Sequence, residues 1–412
     1  MTESYPPPKR KIIPVVARGV ANEPRAQNFH FTALPPLSLY VHIPWCVRKC
    51  PYCDFNSHES RDGIPETAYL AALERDLEAA LPQVWGRRVR SVFFGGGTPS
   101  LLSAQGLDKL LTLLRTLLPI EPLAEITLEA NPGTFESEKF RAFRAAGINR
   151  LSIGIQSFNP QHLRSLGRIH DDNEARRAVE IALTHFDNIN LDLMYALPEQ
   201  TLDQALADID SAIGFGVPHI SAYHLTLEPN TLFHAHPPSL PDDDMAADMQ
   251  SAIEARLEGA GYTHYETSAF AKKHQACQHN LNYWHFGDYL GIGAGAHSKL
   301  TTQQGILRQM RYKQPKVYME QAQAGQAIQQ DQLVPASELG FEFMMNALRL
   351  NAGFPAALFQ DHTGLPLSVI EGPLRVAEER GLLQRDLTRI QPTRLGQHFL
   401  NDLLQIFLAE KN

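Results

Sequence analysis

Three of the four cysteines in this 412-residue chain fall within eight residues, spaced CxxxCxxC in YVHIPWCVRKCPYCDF (40–55). Pro44 and Pro51 prevent a helix from running through the segment, so it reads as a loop able to wrap an object. A group this local and odd in number builds no disulfide framework and points instead to metal. Cys46, Cys50 and Cys53 as soft thiolates suit iron–sulfur chemistry, and a four-iron cluster on three ligands leaves one iron free for a cofactor or substrate. The other reading is zinc, completed by His42 or His58 as a Cys3His site. Zinc motifs usually present two separated pairs, whereas this triplet is compact.

The run before the loop, SLYVHI (38–43), has strand character, and similar runs follow at 91–95, 125–130, 150–155, 189–193 and 219–225. Between them lie amphipathic stretches. Leu70, Leu73, Leu77 and Leu81 line one face of a helix, and 203–214 behaves alike before its glycine stop. Six strand–helix units without a doubly wound glycine fingerprint predict an α/β fold: a parallel, partial (β/α)6 TIM-like barrel with chemistry at the carboxyl ends of its strands.

The expected organisation is a flexible, proline-rich arm over 1–36, the barrel over 37–240, an extension over 241–330 that closes the barrel's open side, and a C-terminal region over 331–412. The extension carries a helix (243–260), a strand near 262–266 and the glycine-rich DYLGIGAGAHS (288–298). The last region, with helices at SELGFEFMMNALRL and 367–380, a turn-linked strand pair and a final helix, has the order of a mostly helical winged-helix domain. Its second helix sets Glu371, Glu378 and Glu379 against Arg375 and Arg380, which suits packing or a partner surface better than DNA reading. With a net charge of −8, no general affinity for nucleic acid is expected. No apolar run approaches the roughly 18–20 residues a bilayer requires, and MTESYPPPKRK has no apolar stretch behind its charges. A cytoplasmic protein is expected, with peripheral membrane contact left open.

The cysteine spacing after a strand, with Tyr52 before the third cysteine, resembles the radical S-adenosylmethionine superfamily. Together with FFGGGTPS (93–100), EANPGT (129–134), RLSIGIQSF (150–158), LGRIH (166–170) and NLDLMYALPEQT (190–201), it is similar to the coproporphyrinogen dehydrogenase-like group from about Ser38 to the C-terminus. The resemblance implies a radical SAM barrel whose Cys46, Cys50 and Cys53 hold a 4Fe-4S cluster. It also implies that the amino and carboxylate groups of S-adenosylmethionine chelate the fourth iron, and that an electron donor reduces the sulfonium to release a 5'-deoxyadenosyl radical.

By the same resemblance Gly96, Gly97 and Thr98 line the methionine moiety, Glu129 meets polar groups of the cofactor, and Tyr40 and Tyr52 contact it. Gln156, Arg168 and Asp192 match positions that serve a second S-adenosylmethionine. Each residue also has a plainer reading: the glycines as a tight turn, Glu129 as a solvent-facing carboxylate, the tyrosines as core, Arg168 as a surface cap or pair.

Two features bear on the branch. Phe55 stands where the dehydrogenase carries a fourth cysteine, and CQHNLNYW (277–284) contains an HNxxYW element resembling the heme-chaperone branch. Histidine is a recurrent heme ligand and aromatics stack on flat macrocycles, so His279 is the candidate heme ligand, with Cys277 as alternative or addition and His297 as a third, structural candidate. The element also reads as a latch, Asn280 bonding backbone and Trp284 filling core. The expected function is a chaperone that binds heme and gives it to an acceptor protein. The alternative is oxidative decarboxylation of coproporphyrinogen III, against which Phe55 argues.

Overall fold

The computed structural model describes residues 29–60, 63–134 and 137–408. Most of the expected arm, residues 1–28, lies outside the described residues.

Strand β1 (Leu37–Ile43) leads into the cysteine loop, whose ends are tied by a short parallel pair, β2 (Trp45–Cys46) and β3 (His58–Glu59). Then come β4 (Val89–Gly96), β5 (Ile120–Ala130), β6 (Arg150–Gln156), β7 (Ile189–Tyr195) and β8 (His219–His224). These six expected strands pair in parallel, in chain order. Long helices link them at Glu66–Val84, Ala104–Leu117, Ser137–Ala146, Asp172–His185 and Leu202–Gly214. Two of the helices start on capping boxes, Asp171 with Glu174 and Thr201 with Gln204, which satisfy otherwise orphaned backbone donors. Leu73 and Leu77 are buried as their spacing predicts, and strands such as LSLYVHI are apolar because both faces of a parallel sheet are covered.

The extension does not close the barrel. Helix Asp243–Gly259 leads to β9 (Thr263–Glu266) and β10 (Ala269–Ala271), which add antiparallel to the β8 edge. Then β11 (Asp288–Ile292) pairs parallel to β1, followed by an antiparallel run of β12 (His297–Thr302), β13 (Gly305–Arg311) and β14 (Ile328–Leu333). Both edges are therefore lengthened, giving a twelve-stranded sheet among the described residues.

The C-terminal region follows the winged-helix order, with one short helix added: helix Ala336–Ala347, β15 (Phe354–Pro355), the added helix Ala357–Thr363, the second expected helix, and the pair β16 (Leu383–Arg385) and β17 (Arg389–Pro392). The second helix, expected over 367–380, is a 3-10 turn to Ile370 and α-helical only from Glu371. The expected final helix is two, Arg394–His398 and Leu400–Gln405, because Phe399 at φ −108°, ψ 44° leaves the helical region. Phe343, Phe354 and Phe359 centre a separate apolar core, against which Phe29 and Phe31 pack. Residues 29–36, assigned from sequence to the arm, are thus tied down: His30 N–H donates to the Gly364 carbonyl, and Asp288 N–H to that of Pro36.

Candidate functional site

The cysteine loop is positioned by the turn after β4. Gly97 N–H donates to the Ile43 carbonyl at 2.8 Å and Thr98 N–H to that of Trp45 at 2.7 Å. Gly96 adopts φ +112°, and a Cβ there would run into the His42 ring, so this glycine answers first to close packing against β1. The turn reading and the site reading coincide, because the same glycines wall a cavity.

That cavity, of about 360 Å³, lies at the carboxyl ends of the parallel strands and is lined by Cys46, Cys50, Cys53, Tyr52, Gly96, Gly97, Thr98, Glu129, Gln156, Arg168 and Asp192. Eleven residues singled out from six separate sequence segments therefore share one space. Thr98 Oγ1 donates to Cys46 Sγ at 3.5 Å, Arg168 Nη1 to Cys50 Sγ at 3.6 Å, and Cys53 Sγ is 3.9 Å from Ser57 Oγ. Arg168 is no surface cap: its Nη2 donates to Asn131 Oδ1 at 2.6 Å and to the Gly154 carbonyl at 2.7 Å. Asn131, which also donates to Thr98 Oγ1 at 2.8 Å, was not distinguished within EANPGT. Its signal is local: an asparagine between a strand end and a proline.

The donor set fits a cluster. Three thiols opening on one cavity, each met by a hydrogen-bond donor or hydroxyl, supply what a cubane needs at three separate corners. His42 is not free to complete a zinc site, since its Nδ1 is 2.9 Å from Tyr40 Oη and its Nε2 2.9 Å from the Asn56 carbonyl oxygen. Among the described residues no three His, Cys, Asp or Glu side chains converge as a single ion requires.

Burial dominates the electrostatics. It raises the thiol pKa values of Cys46 and Cys53 and pushes the Tyr52 phenol above its usual range. Glu129 accepts from Gly96 N–H at 3.2 Å and is pushed up to about 8, by burial first and then by Asp192. Burial also raises Asp192, although Ser152 Oγ and Asn190 Nδ2 donate to it at 2.9 and 2.8 Å. Gln156 ends β6 at φ 68°, a left-handed conformation that carries backbone strain in a non-glycine residue at the cavity wall.

Tyr40 lies elsewhere. It lines a second cavity of about 580 Å³, together with His58, Tyr283, Tyr289, His297, Lys49 and Lys313. Asp54, Phe55, Ser57, Gly96 and Glu129 border both cavities, so the two adjoin.

His279 borders neither. It sits on the helix Gln278–Trp284, 1% exposed, at the amino-terminal half of the barrel. Its Nδ1 is 2.9 Å from Ser91 Oγ, its Nε2 3.1 Å from Tyr283 Oη, and its backbone N–H donates to Glu125 Oε1 at 3.1 Å. The ring packs against Phe93 and Tyr283, with centroids 5.0 and 4.8 Å away. Burial, then Arg150, lowers its pKa to about 3. Both ring nitrogens are thus engaged inside the protein, which corrects the expectation of a presented heme ligand. Cys277 is equally enclosed, its Sγ donating to Glu125 Oε1 at 3.4 Å. The latch reading needs two corrections: the amide that bonds backbone is that of Asn282, donating to the Asp288 carbonyl at 2.8 Å, and Trp284 does not fill the core. Trp284 is half-buried, with the Arg349 guanidinium 4.4 Å over its ring.

Comparison with known proteins agrees with this geometry. The Radical SAM superfamily model matches residues 40–212, and that of the HemN C-terminal domain matches 334–399. The chain is 48% identical over 379 residues to the heme chaperone HemW of Escherichia coli (strain K12), covering 92% of this chain and 99% of that one. It is 48% identical over 384 residues to the heme chaperone HemW of Haemophilus influenzae, with the same coverages. Among solved structures, coproporphyrinogen III oxidase (HemN) from Escherichia coli, described as a Radical SAM enzyme, superposes with a TM-score of 0.77 at 25% identity, covering 91% of this chain and 90% of its own.

Proposed function

This chain belongs to the HemW family of the radical SAM superfamily, and from that premise we propose that it binds heme and passes it to an acceptor protein. In this reading Cys46, Cys50 and Cys53 hold a 4Fe-4S cluster and S-adenosylmethionine occupies the cavity they border. The observation that carries it is the shared cavity: three thiols, the glycine turn, Glu129, Gln156, Arg168 and Asp192 all open on one space. When bound, the cluster would offer one iron to be chelated by the amino and carboxylate groups of S-adenosylmethionine and would relay an electron from a donor protein to its sulfonium.

The chain's own residues do the rest. Arg168 braces Cys50 against Asn131 and Gly154, and Thr98 steers Cys46. Burial favours the protonated forms of Glu129 and Asp192, and a cationic group entering the cavity would draw off their protons and pair with the carboxylates. Gln156, Arg168 and Asp192 all lie on this first cavity, so a second S-adenosylmethionine would have to share it or use the neighbouring one. Phe55, 60% exposed at the border, offers no thiol and argues against oxidative decarboxylation of coproporphyrinogen III. No helix among the described residues is long and apolar enough to cross a membrane, which is compatible with a cytoplasmic site of action.

Two assays on anaerobically reconstituted protein test this. The first titrates heme and follows its handover to an apo heme protein; the second supplies coproporphyrinogen III, S-adenosylmethionine and a reductant. Heme bound and transferred, with no decarboxylation, is the expected result. Turnover of the porphyrinogen, or no heme binding, would overturn the proposal.

A further inference from the structure

The HNxxYW histidine is sealed inside the barrel, so if the chain binds heme the iron needs another ligand. The second cavity offers one. His297 opens β12 at the end of the glycine-rich turn, is exposed, and makes no hydrogen bond through its ring among the described residues. This sets it apart from His42 and His279, both of whose ring nitrogens are engaged.

Part of the wall suits a flat dianion with apolar faces, while Asp54, Glu129 and His58, whose Nε2 is unpartnered among the described residues, also line it. Tyr40, Tyr283 and Tyr289 provide aromatic lining, and the hydroxyl of Tyr289 is occupied by Arg308 Nη1 at 2.7 Å. Phe55, exposed on the border of both cavities, provides another ring able to stack on a macrocycle. Lys49 and Lys313 supply cations for two propionates; Lys49 Nζ also donates to the Phe55 carbonyl at 3.1 Å. The volume of about 580 Å³ is larger than that of the cysteine-lined space and within the roughly 300–1,000 Å³ of ligand sites.

We propose that heme occupies this second cavity with His297 as iron ligand, and that His279 is a positioning residue that holds Tyr40 and Tyr283 from beneath. The inference rests on the heme-binding reading above. The shared wall of Gly96, Glu129 and Phe55 sets bound heme directly beside the S-adenosylmethionine cavity, so each ligand would feel the occupancy of the other.

The test is a heme titration of full-length, cluster-loaded protein, followed in the Soret band for wild type, His297→Ala, His297→Met and His279→Ala. His297→Ala should weaken heme binding roughly tenfold or more and lose the histidine-ligated spectrum. His297→Met should retain heme with a shifted spectrum, a change only a direct ligand produces. His279→Ala should keep the wild-type spectrum while melting at a lower temperature. Wild-type spectra and affinities in both His297 variants overturn the inference, as does loss of the Soret shift in His279→Ala with unchanged melting and iron content. If wild type binds no heme, the reading of the previous section fails instead.

Discussion

The two ends of this barrel use the same residue types to opposite effect. Strand β5 carries Glu125 and Glu129 four residues apart. Glu125, toward the strand's start, is enclosed: it accepts from His279 N–H and Cys277 Sγ and lies 3.9 Å from Arg150 Nε. Glu129, at the carboxyl end, meets one backbone N–H and otherwise faces a cavity. The cysteines divide in the same way, Cys277 buried at the bottom and three half-exposed at the top, and so do His279 and His297. Several polar groups at the amino ends of the strands satisfy one another, as in Asn190 Oδ1 with His219 Nδ1 at 2.6 Å and Ser221 Oγ at 3.0 Å, while Arg150 Nε stays 3.9 Å from Glu125 without a hydrogen bond. Those at the carboxyl ends keep unused capacity and carry strain, as at Gln156. What separates the two ends is the open space beside the carboxyl-end groups, where spare hydrogen-bonding capacity can meet a ligand.

The sharpest break of this comparison is at the cysteines. Cys46→Ala, Cys50→Ala or Cys53→Ala should each abolish cluster iron, whereas Cys277→Ala should keep the full iron content, measured by metal analysis after anaerobic reconstitution. Iron lost with Cys277 would erase the distinction between the two ends.

A smaller but large effect is expected at the bottom. Arg150→Leu leaves Glu125 without its buried cation and should cost about 3–5 kcal/mol in urea unfolding. An unchanged unfolding midpoint would mean the lower network is not what holds the barrel's floor.

The smallest effect concerns pH. The folded chain keeps a proton on Glu129 up to about pH 8, whereas the unfolded chain releases it near 4.5. Stability of the cofactor-free protein should therefore fall as pH rises across this window, by at most about 1.4 kcal/mol per pH unit. Glu129→Gln should remove that share of the slope between pH 6.5 and 7.5 in urea melts. A slope equal to wild type would place the carboxylate in a wetter setting, more like a surface group.

The barrel strands were legible because burial on both faces demands apolar runs of strand length, and RLSIGI or INLDL admits little else. The edges were not: nothing in DYLGI says that it pairs parallel to β1, since pairing partners are chosen across 250 residues of intervening chain, from Leu37↔Asp288 to Val41↔Ile292. The cluster side of the site was legible for a chemical reason, as three thiols in a proline-bounded loop have few uses. Arg168 was not distinguishable from a surface cap, because its partners Cys50 and Gly154 come from the distant cysteine loop and from β6.

The histidines mark the boundary. By itself the sequence determined which residues have the chemistry to hold iron, because ligand type is a property of the side chain. Which histidine is sealed and which is presented was decided by the tertiary structure alone. Burial and hydrogen-bond satisfaction belong to what surrounds a ring: Ser91 and Tyr283 close on His279, and open space lies beside His297.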